Sequence, residues 1–150
     1  MILSQKTQYA LRAIYELALH HGGGPVKISD IATAQDIPHK FLELILHELK
    51  QAGFVTSKRG KAGGYLLIRS PWEVSVGEIL RYVQGPLGPV SCLSDAGAEA
   101  QCRLRGHCVF LPMWERVEQA VAGIYDTTTF QDLILQDQRH SGIRNISYQI

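Results

Sequence analysis

Between His39 and Ala52 the residues Leu42, Ile45, Leu46 and Leu49 share one helical face, and a glycine-rich basic hairpin signal follows at once. No other local pattern restricts the fold as much. Gly53 ends the helix, Phe54-Val55-Thr56-Ser57 and Tyr65-Leu66-Leu67-Ile68 have strand composition, and Lys58-Arg59-Gly60-Lys61-Ala62-Gly63-Gly64 forms the tip between them. Upstream, residues 4–21 carry Ala10, Leu11, Ile14, Leu17 and Ala18 at helical spacing, and Gly22-Gly23-Gly24-Pro25 stops them. Ser29 offers an N-cap for a short helix with Ile31 and Ala32, which ends near Ile37 because Pro38 disfavours helical geometry in the residue before it. Short helix, turn, amphipathic helix and hairpin together describe a winged helix-turn-helix: a mainly α chain with a small β-hairpin wing.

The face opposite the apolar stripe names a partner class. His39, Lys40, Glu43, His47 and Lys50 fall within an arc of about 100°, able to donate and accept hydrogen bonds at base edges in a major groove. Lys58, Arg59 and Lys61 suit phosphates or a narrow minor groove, and Ser29 opens the preceding helix on the same expected DNA face. Charge agrees with this. Residues 1–70 hold nine Lys and Arg against five acids, net +4, whereas residues 71–150 hold six Arg against nine acids, net −3, so the overall +1 conceals a basic first half. Double-stranded operator DNA is the expected partner.

Ser75-Val76-Gly77-Glu78 has the form of a capping box and begins a helix with Ile79, Leu80 and Val83 that closes the winged domain. Pro86, Gly88 and Pro89 then break the chain into a stretch holding all three cysteines: Cys92, nine residues, Cys102, five residues, Cys108. Three soft thiolates close in sequence suit zinc or an iron-sulfur cluster; neighbouring but unrelated thiols are the alternative. Pro112 fits the first turn of a further helix in which Phe110, Trp114, Val117, Val121 and Ile124 keep a four-three spacing. An apolar seam of that kind predicts a homodimer through Trp114, Val117, Val121 and Ile124. Thr129-Phe130-Gln131-Asp132 starts a short helix, and periodicity is lost from about Asp137. The expected organisation is a DNA-binding domain over 1–84, a cysteine-rich loop over 85–110, a dimerisation helix and short helix over 111–137, and a mobile tail over 138–150.

A length of 150 residues, with 45% hydrophobic and 19% charged content, suits a globular domain with an appended element. No apolar run is long enough to span a bilayer, and Met1-Ile2-Leu3-Ser4-Gln5-Lys6 lacks the order of a signal peptide. A cytoplasmic protein without structural disulfides is expected. There is no P-loop, dinucleotide fingerprint or Ser/His/acid arrangement in a recognisable context, so neither an enzyme nor a small-molecule substrate is implied.

Several of these stretches carry a family resemblance: Tyr9-Ala10-Leu11-Arg12, Phe41-Leu42-Glu43, Arg59-Gly60-Lys61-Ala62-Gly63-Gly64-Tyr65-Leu66-Leu67, Val76-Gly77-Glu78-Ile79, the cysteine trio and Thr129-Phe130-Gln131-Asp132-Leu133. Over residues 1 to about 135 the chain resembles the Rrf-two family of bacterial winged-helix regulators, in its IscR-like and NsrR-like branches. The resemblance implies a homodimeric transcription regulator whose operator affinity is controlled by an iron-sulfur cluster, 2Fe-2S or 4Fe-4S, with Cys92, Cys102 and Cys108 as ligands. Two departures stand out. The gap from Cys92 to Cys102 exceeds the five residues typical of IscR-like members, and the expected fourth-ligand positions hold Leu111 (IscR-like) and Gln8 (NsrR-like). His107 is the nearest substitute, with Asp95 and Glu99 as further candidates. Two alternatives are a winged regulator with a zinc or thiol-switch cysteine site, and an interaction module of the same fold that does not bind DNA.

Overall fold

The computed structural model describes residues 2–94, 102–104 and 106–147. It is mostly helical, with one two-stranded antiparallel sheet. Helix α1 (Gln5–Leu19) is the hub, packing against α2 (Ile28–Gln35), α3 (His39–Gln51), α4 (Val76–Val83) and the C-terminal α7 (Phe130–Ser147). Its start is set by Ser4, whose hydroxyl accepts from the Thr7 backbone N–H at 3.1 Å. Ala10, Ala13, Ile14, Leu17 and Ala18 are buried, and small alanines let the neighbouring helices approach closely. Glu16, itself buried, joins α1 to α2 by accepting from Gln35 Nε2 at 2.7 Å.

Helix α2 does not begin where its best capping side chain sits. Its N-cap is Lys27, and Ser29 occupies the second helical position. The cause lies upstream: Val26 exchanges backbone hydrogen bonds of 2.9 and 2.8 Å with Tyr65 of the hairpin, which holds the chain extended up to Lys27. Gly64 makes this approach possible, since a Cβ there would collide with the Val26 carbonyl oxygen. At the other end of α2, Asp36 takes the left-handed conformation (φ 49°) and Ile37 N–H returns to Ala32 O at 3.0 Å. The turn is therefore closed before Pro38, which caps α3.

Strands β1 (Val55–Lys58) and β2 (Gly64–Leu67) pair Val55 with Leu67 and Lys58 with Gly64, leaving residues 59–63 as the connection. After β2 comes a single 3-10 turn, Pro71–Glu73, with a capping box from Ser70 that the sequence reading did not anticipate. The box expected at Ser75 is present: its hydroxyl accepts from Glu78 N–H at 3.2 Å and Glu78 accepts from Ser75 N–H at 3.0 Å. Burial alone would raise the Glu78 carboxyl, but the Ser75 backbone N–H and the Arg69 guanidinium at 2.9 Å outweigh it and hold the group below its usual range.

Short helix α5 (Ser91–Ser94) and long helix α6 (Leu111–Thr127) flank the cysteine loop. From α6 the chain returns to the first core. Val76 N–H donates to Thr128 O at 2.9 Å, Phe130 N–H donates to Val74 O at 3.1 Å, and the Phe130 and Ile134 side chains are buried with those of α1 and α3. Truncating a fully buried phenylalanine of this kind costs about 3 to 5 kcal/mol. Helix α7 then runs to Ser147, so residues 138–147 of the expected tail are helical, and residues 148–150 lie outside the described residues. The apolar period fails there because Gln136 to His140 are exposed, and a helix without a buried face shows no period. Tyr15 donates to Asp137 at 3.2 Å, tying α7 back to α1.

Candidate nucleic-acid interface and cysteine loop

On α3, Leu42, Ile45, Leu46 and Leu49 are all at most 2% exposed, which fixes the rotation of the helix about its axis. His39, Lys40, Glu43, His47 and Lys50 are consequently all exposed. His39 Nδ1 lies 3.6 Å from Glu43 Oε1, and His47 shares a 3.1 Å hydrogen bond with Gln51. Lys50 Nζ donates to the Ser57 hydroxyl at 2.5 Å, bracing the last turn of α3 against the first strand of the wing. On its other side α3 is held to α1 by Lys6 with Glu48 at 2.7 Å and by Tyr9 edge-on to Phe41, with ring centroids 5.6 Å apart. The helix is thus clamped on both flanks while its outer face stays open.

Lys58, Arg59 and Lys61 are exposed around the wing tip. The turn is built by glycines: Gly60 has φ 107°, Gly63 N–H donates to Gly60 O at 2.9 Å, and a Cβ on Gly63 would collide with Lys58 O. Ser29 is exposed on α2, one position inside the helix rather than at its cap. Leu44 was missed by the sequence reading: it is 63% exposed in the middle of α3, on the face otherwise made of polar residues. Leucine counts as core in a binary pattern, and only its place outside the Leu42, Ile45, Leu46, Leu49 stripe signals otherwise.

Cys92 in α5, Cys102 and Cys108 are free and half-buried, and His107 is exposed with its backbone N–H on Leu104 O at 2.9 Å. The expected ligands do not converge. Among the described residues no three His, Cys, Asp or Glu side chains form a group able to hold a metal ion. Thiols hydrogen-bond weakly, so protein contacts alone do not draw three sulfurs together against the entropy of the loop; metal–sulfur bonds are what does so. Asp95 and Glu99 lie outside the described residues. The donor set nevertheless suits an iron-sulfur group in kind, with three free thiols. Leu87, buried against Val76 and Leu80, pins the chain to α4 just ahead of this loop.

Helix α6 has no buried residue. Val117 is 40% and Ile124 65% exposed, Trp114 and Val121 are half-buried, and Phe110 and Met113 add to the open apolar surface. Ile124 and Tyr125 also line an apolar groove of about 390 Å³ shared with Leu11 and Tyr15 of α1 and Phe130 and Leu133 of α7.

The family model described as "Iron-dependent Transcriptional regulator", Rrf2, matches residues 3–136. The chain belongs to the Rrf2 family of transcriptional regulators. It is similar to the HTH-type transcriptional regulator CymR of Bacillus subtilis, with 35% identity over 133 residues covering 89% of each chain. A solved structure titled as that of CymR, the global cysteine regulator of B. subtilis, is 34% identical over 89% of this chain and 95% of that one, with a TM-score of 0.72. The structure of T. potens IscR is 31% identical, covering 91% of this chain and 88% of that one, with a TM-score of 0.73. Rrf2 relatives are named as regulators, and the chain is not an enzyme. Among the described residues no helix is long and apolar enough to cross a membrane. The Rrf2 scaffold here is a winged helix-turn-helix with both flanks of α3 clamped.

Proposed function

We propose that this Rrf2 regulator acts as a homodimer that places α3 in the major groove of an operator and the wing against its backbone or minor groove. The observation that carries this reading is the open outer face of α3, braced to the basic wing through Lys50 and Ser57. Bases are read by His39, Lys40, Glu43 and His47; Ser29, Lys50, Lys58, Arg59 and Lys61 supply phosphate and minor-groove contacts. The partly exposed stripe of Val117, Ile124, Trp114 and Val121 on α6 is the dimer surface, since a helix with no buried residue needs a partner for its apolar side. Operator affinity measured against salt tests the DNA reading: the log–log slope should fall by about 0.9 for each neutralised phosphate, and a flat profile would refute it.

The loop between Leu87 and Leu111 carries the signal. Cys92, Cys102 and Cys108 hold an iron-sulfur cluster, 2Fe-2S or 4Fe-4S, with His107 the nearest candidate for the remaining position. Three soft thiols in one loop, the family model's iron-dependent description and the likeness to an IscR structure support this. When bound, such a group supplies a redox-responsive, labile centre. A second reading, a thiol switch without iron, is favoured by the likeness to a protein titled a cysteine regulator and by three free thiols in one loop. Iron, sulfide and the visible absorption of anaerobically purified protein separate the two: all three present supports the cluster, and a colourless, iron-free protein leaves the thiol switch.

A further inference from the structure

Four leucines lie on α3, and Leu44 alone among them faces outward. Leu42, Leu46 and Leu49 are fully buried, whereas Leu44 is 63% exposed. At about 100° per residue, Leu44 lies within roughly 40° of the direction opposite the buried stripe, beside the exposed Lys40 and His47. Its neighbours along the helix are engaged. Phe41, one turn before, turns to Tyr9, and Glu48, one turn after, turns to Lys6. Leu44 is left between them and Lys40, on the outward side of the helix and about 40° beyond the edge of the polar arc. Isolated exposed leucines are ordinary on a protein surface. This one sits among polar residues on a face clamped from both sides, where a groove offers one apolar feature, the C5-methyl of thymine.

Resting on the operator-binding reading above, we infer that Leu44 is a specificity-determining residue that reads a thymine methyl group in each half-site. Lys40 and His47 cannot make this choice, because their hydrogen-bonding groups meet acceptors that other bases also offer. The leucine side chain and the methyl exclude water from each other. Losing one such contact corresponds to about a three- to fourfold change in affinity.

The test uses the whole 150-residue chain and an operator selected by it from a random duplex library. Each thymine in the selected site is replaced in turn by deoxyuridine, which keeps base pairing and the O4 acceptor and removes only the methyl. Wild type should lose about three- to fourfold affinity at one thymine per half-site, and Leu44→Ala should bind more weakly yet show no thymine-to-uridine difference at that position. Alanine is a better helix former and Leu44 is not core, so circular dichroism of the variant should match wild type. Specific binding that ignores every uridine, a selected site without a recurrent thymine, or an equal uridine effect in Leu44→Ala would each overturn the inference while leaving the regulator intact. Absence of any sequence-specific binding by wild type would overturn the operator reading and this one with it.

Discussion

Arg81 of α4 grips Asp126 of α6 with both guanidinium nitrogens, at 2.5 and 2.8 Å, across Gly77, where a Cβ would collide with the Asp126 carboxylate. This pair ties α6 to α4. The Arg81 hydrogen bond holds the Asp126 carboxyl below its usual range, and the arginine is raised in turn. Because the folded value is depressed, the stabilisation is present above the ordinary aspartate pKa of about 3.9 and is lost as pH falls below it through the lower folded value. Asp126→Asn should cost no more than about 1 kcal/mol, since both side chains are nearly half exposed. It should also flatten the stability profile below about pH 4; an unchanged acid limb in chemical denaturation would contradict this.

Arg59→Ala should weaken operator binding nearly uniformly across sequences and reduce the salt slope by about 1. The motive is an exposed arginine at a glycine-built tip with Lys58 and Lys61 beside it. Fluorescence anisotropy over a salt series measures both quantities. A variant with wild-type affinity and slope would remove the wing from the interface.

Glu43→Ala should relax discrimination at one base pair by about 1 to 3 kcal/mol, because a carboxylate on the outer face of α3 accepts from a cytosine amino group. His39 Nδ1 lies 3.6 Å from its Oε1. Binding-site selection with the variant checks this, and a preference identical to wild type at all positions contradicts it.

Val117→Glu should yield monomers in sedimentation, since Val117 is 40% exposed on a helix with no buried residue and a charge there opposes self-association. The winged domain should stay folded, because its core does not include Val117. A folded dimer of this variant would place the interface elsewhere.

How much the sequence disclosed depended on range. Helix α3 was legible because Leu42, Ile45, Leu46 and Leu49 carry a period within one element, and the capping box at Ser75 because its partner Glu78 is three residues on. The start of α2 was not, because the Val26 bridge to Tyr65 overrides the local preference of Ser29. Phe130 looked like a residue in a helix start; its complete burial against α1 is a long-range event that no window shows. The extension of α7 to Ser147 escaped for the opposite reason, since the exposed turn from Gln136 to His140 carries no apolar period. At the site, the polar arc was legible directly, whereas Leu44, apolar and so counted as core, is marked outward only by its place outside the Leu42, Ile45, Leu46, Leu49 stripe. The cysteines were visible as a trio, but the placement of their sulfurs depends on what binds them.

On the proposed reading, the state of the cysteine loop sets operator affinity, through a segment fixed at one end by buried Leu87 and continuous at the other with α6. The most direct measurement compares operator affinity of anaerobically reconstituted wild type, the same protein stripped of iron, and Cys102→Ala. Wild type should change affinity at least tenfold on stripping, corresponding to about 1.4 kcal/mol of coupling, and Cys102→Ala should bind like the stripped form whatever it is treated with. Identical affinities for all three would show that the loop does not control DNA binding.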